Sequence, residues 1–306
     1  MNYTKYSFTV PEDMKIRVIT NTDAKNEADD QYAIAHTLLS PRFENVGIIA
    51  AHFGNQRSQT SLEDSYQEVL KVMDLMNFDP SILVKGAPNA LPDGKTPVLS
   101  PGARLIIDEA MKESDKPLFV TFLGPLTDLA SAYLIEPRIA QRLTCIWIGG
   151  GMYPVGGYEY NLNNDINAAN VVFNSPIPVW QVPKDVYMQM VVSVAELEAR
   201  VAPCGALGNY LYTQLIQRSH EAWAKRPPRT GEAWCLGDSP VVGLMLWDHP
   251  FDYDWIPAPN FTQDMHYIHN LPNRPIRVYR RIDSRFILED FYAKLSKFTK
   301  AESGSV

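Results

Sequence analysis

From Ile16 onward the chain repeats one rhythm, a short apolar run followed by a longer amphipathic stretch. Residues 16–20, 46–51, 82–85, 118–123, 144–148 and 179–182 have the length and apolar content of buried strands. Between them, residues 30–39 (closed by Ser40-Pro41), 60–76, 102–112, 126–134 and 166–173 carry helical spacing. Strands separated by helices cannot pair as hairpins, so they run parallel and need cover on both sides. The expected fold is therefore α/β: an open, mostly parallel sheet flanked by helices on both faces. Residues 193–223 read as helices broken by Pro227-Pro228, 238–246 as a helix, 276–281 as a strand and 284–298 as a closing amphipathic helix. No repeat or linker interrupts residues 16–300, which read as one domain between an extension (1–15) and a flexible tail (301–306).

Charge narrows the partners. The 28 basic residues are outnumbered by 35 acidic ones, a net of −7. Nucleic acid and anionic membranes have no electrostatic reason to approach such a surface, whereas a cation or a small sugar-bearing molecule does. Residues 1–15 are polar and lack the apolar core of a signal peptide, and no stretch approaches the roughly 20 apolar residues of a spanning helix. Cys145, Cys204 and Cys235 are odd in number and far apart. They read as reduced thiols, and the expectation is a cytoplasmic protein.

The first candidate site is the loop after the first strand, from Thr22 to Gln31. Asp23, Glu27, Asp29 and Asp30 place four carboxylates within eight residues, where strand ends of an open α/β sheet hold ligands. Such carboxylates repel one another unless a cation sits among them, and an all-oxygen set suits Ca²⁺ or Mg²⁺ better than zinc. Alternatively, Asp29 and Asp30 are first-turn carboxylates facing a helix dipole and Asp23 is a turn residue. The loop alone does not choose between these readings.

Six further segments bear on the choice. They are Gly54-Asn55, Gly124-Pro125-Leu126-Thr127-Asp128, Gly149-Gly150-Gly151, Glu159-Tyr160-Asn161, Asp165-Ile166-Asn167-Ala168-Ala169 and Gly237-Asp238-Ser239-Pro240. Together with the acidic loop they resemble, in order, the inosine-uridine preferring nucleoside hydrolases, from Ile16 to about Leu295. The resemblance implies a Ca²⁺-dependent N-ribohydrolase of purine or pyrimidine salvage, with one Ca²⁺ per chain, that splits a ribonucleoside or related N-riboside into ribose and base. Asp23, Asp30, Asp238 and the backbone oxygen of Leu123 would hold the metal. Asp23 would also take the proton from the attacking water. Asp29, Asn55, Glu159 and Asn161 would bind ribose hydroxyls. A homodimer or homotetramer is implied as well. The chemistry suits these residue types, since an oxocarbenium-like transition state is stabilised by carboxylates.

Three departures from the family pattern stand out. The acidic loop is two residues longer, with Ala24–Ala28 either loop decoration or a new contact. The segment between Gly151 and Glu159 is shorter and lacks an asparagine that the family offers to the sugar. Gly237 stands where many members carry a histidine that protonates the leaving group, and glycine cannot do so. Substitutes on the leaving-group side would come from the stretch holding Tyr210, Tyr212, His220, Trp223 and Trp234, with His220, Trp223 and Trp234 foremost; core packing is the alternative for the aromatics. His249, His266 and His269 read as loop residues. Two competing readings follow: a catalytically weak ribonucleoside- or sugar-binding protein that keeps the Ca²⁺ site, and a metal-dependent phosphohydrolase, for which only Lys25 and Arg57 lie near the acidic loop.

Overall fold

A computed structural model describes residues 6–221, 231–247 and 251–302. Twelve strands occur in them: β1 Ile16–Thr22, β2 Phe43–Ala50, β3 Leu83–Lys85, β4 Leu118–Phe122, β5 Thr144–Ile148, β6 Val179–Val182, β7 Val191–Ser193, β8 Ala233–Cys235, β9 Tyr253–Pro257, β10 Asn260–Phe261, β11 Tyr267–Ile268 and β12 Pro275–Tyr279. Eight of them form one sheet in the order β3-β2-β1-β4-β5-β6-β12-β9. Every neighbouring pair is parallel except β12 with β9. The expected single α/β domain with a mostly parallel sheet is therefore what the chain forms.

The strands alternate their side chains between two cores, as the two-residue period requires. Val18, Ile48 and Ile146 join the core under helices Asp30–Leu39, Ser61–Leu75 and Ser284–Glu302. Their neighbours Ile19, Ile49 and Trp147 join the other, under Pro101–Met111, Thr127–Ile135 and Ile166–Asn174. All seven residues of β1 are buried, so this strand is the middle of the molecule.

Strand order fixes where a ligand can bind. From β1 the chain moves outward through β2 to β3, then returns to β4 on the other side of β1. The helices after β1 and β4 thus lie on opposite faces, and a crevice opens between the carboxyl ends of these two strands. The acidic loop leaves β1 there, and Leu123 follows β4.

Candidate active site

β1 ends in polar residues that are fully buried, and each serves a carboxylate. Asn21 Nδ2 donates to Asp128 Oδ2 (3.0 Å), and the Thr22 hydroxyl donates to Asp30 Oδ1 (2.5 Å). The chain then turns, with the Asn26 amide donating to the Asp23 carbonyl (2.8 Å), and enters helix Asp30–Leu39. One carboxylate oxygen from each of Asp29, Asp30 and Asp238 lies within 4.8 Å of the others. Asp238 reaches this point from the segment between β8 and helix Pro240–Leu246. Asp23 sits beside them, 1% exposed, against Gly124, where a Cβ would come 2.8 Å from the Asp23 Cγ.

This cluster is electrically uncomfortable by itself. Burial first, then repulsion from neighbouring carboxylates, pushes Asp23, Asp29 and Asp238 well above the usual carboxylate range. Burial lifts Asp30 to about 7, although the Thr22 hydroxyl opposes the shift. Both oxygens of Asp23 and the second oxygen of Asp30 are buried and accept no hydrogen bond. Buried acceptors are normally satisfied, so this is a place for protons or for a cation. Four carboxylates plus the Leu123 carbonyl are a hard oxygen set, which fits a divalent cation of the Ca²⁺ or Mg²⁺ kind. Asp29, expected on the sugar, lines the cavity and also has an oxygen within 4.8 Å of those of Asp30 and Asp238, so it could share a cation with them.

A cavity of ≈ 310 Å³ opens over the cluster. Six of the expected residues line it: Asp29, Asp30, Leu123, Glu159, Asn161 and Asp238. Asn161 joins two strand ends, its Nδ2 donating to the carbonyls of Leu123 (2.6 Å) and Ile148 (2.8 Å). That leaves the Leu123 oxygen a second lone pair. Glu159 caps helix Tyr160–Asn164 and is 1% exposed. Its oxygens accept from the amides of Gly150, Asn161 and Leu162 and from the Tyr187 hydroxyl, at 2.9–3.1 Å. A carboxylate offers about four lone-pair positions. Glu159, expected on a ribose hydroxyl, is therefore already filled by the protein.

The other expectations land elsewhere. Asn55 is exposed and outside the cavity wall, because Gly54 turns the chain at φ 68° with its amide on His52 Nδ1 (3.2 Å). Arg57 reaches the wall instead and lies over the Tyr160 ring (4.1 Å). His220 is exposed at the end of helix Gly205–Ser219, and Trp234 is packed in the core, so neither meets the cavity. Trp223 and His249 lie outside the described residues. His266 and His269 are surface residues of the β10–β11 region, as expected. Asn26 and Arg57 lie where the longer loop and its neighbouring cations were expected, whereas sequence reasoning missed Tyr160, Lys184, Tyr187 and Cys235 on the wall. Gly237 was the available signal for one of them: a Cβ there would come 3.1 Å from Tyr187 Cδ2, so the missing side chain marks an occupied space.

The lengthened loop is not decoration. Ala24 and Ala28 are fully buried and Asn26 lines the cavity. Its carbonyls are pegged from three sides: Gln31 Nε2 on Ala24 (2.6 Å), Arg218 on Lys25 (2.9 Å), and Gln214 Nε2 on Ala28 (2.9 Å). Arg57 holds the carbonyl of Asn26 (3.0 Å). Lys25, Gln31 and Tyr210 all converge on Glu68 (2.6–3.0 Å). Lys25 and Arg57, the two cations that a phosphate-binding reading needed, are thus committed to building the loop.

Comparison with known proteins agrees with this arrangement. The family described as inosine-uridine preferring nucleoside hydrolase matches residues 18–270. The chain is 28% identical over 211 residues to the pyrimidine-specific ribonucleoside hydrolase RihA of Salmonella dublin, covering 60% of this chain and 65% of that protein. RihA of Escherichia coli O1:K1 / APEC is 27% identical over 195 residues, covering 56% and 61%. The chain thus spans about three-fifths of the length of these curated relatives. Its fold is similar to the purine-preferring ribonucleoside hydrolase from Gardnerella vaginalis, with TM-score 0.76, 20% identity, and coverage of 93% and 99% of the two chains. It is also similar to an inosine-uridine preferring nucleoside hydrolase from Bacillus anthracis, with TM-score 0.69, 16% identity, and coverage of 93% and 100%. At such identities the structural likeness is one of fold, whereas the family match covers most of the sequence. The chain belongs to the inosine-uridine preferring nucleoside hydrolase family.

Proposed function

We propose that this protein hydrolyses the N-glycosidic bond of a ribonucleoside or related N-riboside, giving ribose and free base, with one Ca²⁺ per chain. The observation that carries the reading is the set of buried, unsatisfied carboxylate oxygens of Asp23 and Asp30 beside Asp29 and Asp238, at the crevice between β1 and β4.

Asp23, Asp30, Asp238 and the Leu123 carbonyl would hold the cation, with Asp29 within reach of the same point. When bound, a Ca²⁺ ion supplies charge that keeps these carboxylates ionised and lowers the pKa of a coordinated water. Asp23 is the proton acceptor in this reading, since neither of its oxygens is engaged by another protein group. The remaining carboxylates set a negative field where the ribosyl carbon becomes oxocarbenium-like. Asn161 and Asp29 border the cavity where ribose hydroxyls would lie, and fixing the sugar there lowers the entropic part of the barrier.

Gly237 supports a second reading, a weakly catalytic riboside-binding protein that retains the Ca²⁺ site, because no side chain at that position can protonate a leaving base. A free-ribose assay across purine, pyrimidine and pyridine ribosides, with and without a chelator, separates the two. Ribose release abolished by the chelator supports the hydrolase. Tight binding with every substrate recovered intact supports the binder. No helix among the described residues is long and apolar enough to cross a membrane. A cytoplasmic homodimer or homotetramer acting in base salvage completes the proposal.

A further inference from the structure

The saturation of Glu159 raises the question of what this wall offers a substrate. Three of its four partners are backbone amides: those of Asn161 and Leu162 in the cap of helix Tyr160–Asn164, and that of Gly150 after β5. The fourth is the hydroxyl of Tyr187, a side chain that itself lines the cavity (3.1 Å). A phenol has one proton and two acceptor lone pairs. With its proton given to Glu159, the Tyr187 oxygen is left as an acceptor only.

The Tyr187 backbone is anchored as well as the hydroxyl. The Tyr187 amide donates to the Pro183 carbonyl (3.0 Å), and its own carbonyl accepts from the Cys235 thiol (3.4 Å) and the Met190 amide (3.0 Å). Gly237 borders the ring. Its φ lies outside the left-handed region, so backbone conformation does not require glycine there. Space is tight instead: a Cβ would come 3.1 Å from Tyr187 Cδ2, 3.4 Å from Asp29 Oδ2 and 3.6 Å from Cys235 Sγ. An alanine at 237 would press on the Tyr187 ring, which must give by a few tenths of an ångström while its far end is tied to Glu159.

We infer that Tyr187, rather than Glu159, makes the specificity-determining contact on this wall, accepting a hydrogen bond from one hydroxyl of the bound riboside while Glu159 aims it and Gly237 leaves room for its ring. The inference rests on the riboside reading above. Glu159 then acts through Tyr187, and the side chain absent at Gly237 is the counterpart of the one present at Tyr187.

The test compares wild type, Tyr187→Phe, Gly237→Ala and the double variant on one riboside and its 2′-, 3′- and 5′-deoxy analogues. Tyr187→Phe should raise KM on the parent riboside roughly 10-fold, as expected for loss of a hydrogen bond, with kcat changed less than about threefold. The penalty for removing one of the three hydroxyls should vanish in this variant, and the other two should persist. Gly237→Ala should reproduce this pattern, and the double variant should be no worse than Tyr187→Phe alone. Unchanged KM with all three penalties intact would overturn the inference. So would an equal fall on all four substrates together with a lower Tm, which would make Tyr187 purely architectural. If wild type releases ribose from no riboside, the hydrolase reading fails separately, and calorimetric Kd values for the same four compounds still decide the role of Tyr187.

Discussion

Two groups of buried carboxylates lie on either side of β1's end, and they are treated in opposite ways. Asp128 accepts from Asn21 Nδ2, the Ala87 amide and the Ser100 hydroxyl, at 2.6–3.0 Å. Asp165 accepts from the Leu91 amide, the Thr127 hydroxyl and the Ala168 amide, at 2.7–2.8 Å. The chain of donors continues outward: the Gly54 amide occupies His52 Nδ1, so His52 Nε2 donates to Thr127 Oγ1 (3.0 Å), which donates to Asp165. Asp23 is equally buried and accepts nothing. A buried acid that ties loops together is saturated by donors, and the one proposed above to meet a cation and a proton is left open.

The contrast can be broken most sharply at the open end. Asp23→Asn is isosteric and removes the proposed proton acceptor. Turnover should fall by about 10³-fold, within the range for loss of a general base, while Tm in metal-free buffer stays level or rises. Ribose release with at least a tenth of wild-type kcat would remove Asp23 from the chemistry. At the saturated end the signs reverse. Asp128→Ala strands three donors in the core and should cost about 3 kcal/mol in urea unfolding. Activity per folded molecule should change far less than in Asp23→Asn. A loss under about 1 kcal/mol would show that the Asp128 tie is dispensable.

Titration should separate the two groups as well. Burial holds His36 and His52 at about 4, below their usual 6.5. The unfolded chain takes these protons first, so stability is lost as pH falls from 6.5 toward 4, by up to about 3 kcal/mol per histidine. Denaturant titrations of Ca²⁺-loaded protein at pH 7.5 and 5 should show this, and His52→Gln, in the saturated network, should flatten the slope. The open cluster behaves in the reverse sense. The folded-state pKa of Asp30, about 7, lies above its unfolded value of 3.8, so in metal-free protein this stabilisation is full below 3.8 and is lost as pH rises through 7. The smallest effect follows from that: the Tm increase caused by 1 mM Ca²⁺ should be a few degrees larger at pH 8 than at pH 6. An equal shift at both pH values would mean that the ion binds away from these carboxylates.

Much of the fold was legible because the chain keeps its periods cleanly. Helix Asp30–Leu39 and strands β5 and β6 fall where the apolar spacing puts them, and most other boundaries move by one to three residues. β9 was missed for a physical reason. It is an antiparallel edge strand with Asp254 and Trp255 exposed, so it lacks the continuous apolar run of its parallel neighbours. β7 and β8 are three residues each, too short for any period. In the site, the strand-end carboxylates and Asn161 were readable because loop position and residue type coincide. Tyr187 was not, since it ends a four-residue helix and its role comes from contacts with Glu159 and position 237, distant in sequence. Asn55 was misplaced because the turn at Gly54 sends it outward. The longer loop resisted reading because its burial depends on Gln214 and Arg218, nearly two hundred residues away.

Calorimetric titration of metal-stripped protein with Ca²⁺ tests the central claim most directly. The proposed function predicts one site per chain, occupied in wild type and weakened at least about 100-fold by Asp238→Asn, which removes charge while keeping shape. Absence of binding heat in wild type, or equal affinity in the variant, would contradict the proposal that these buried carboxylates surround a single cation.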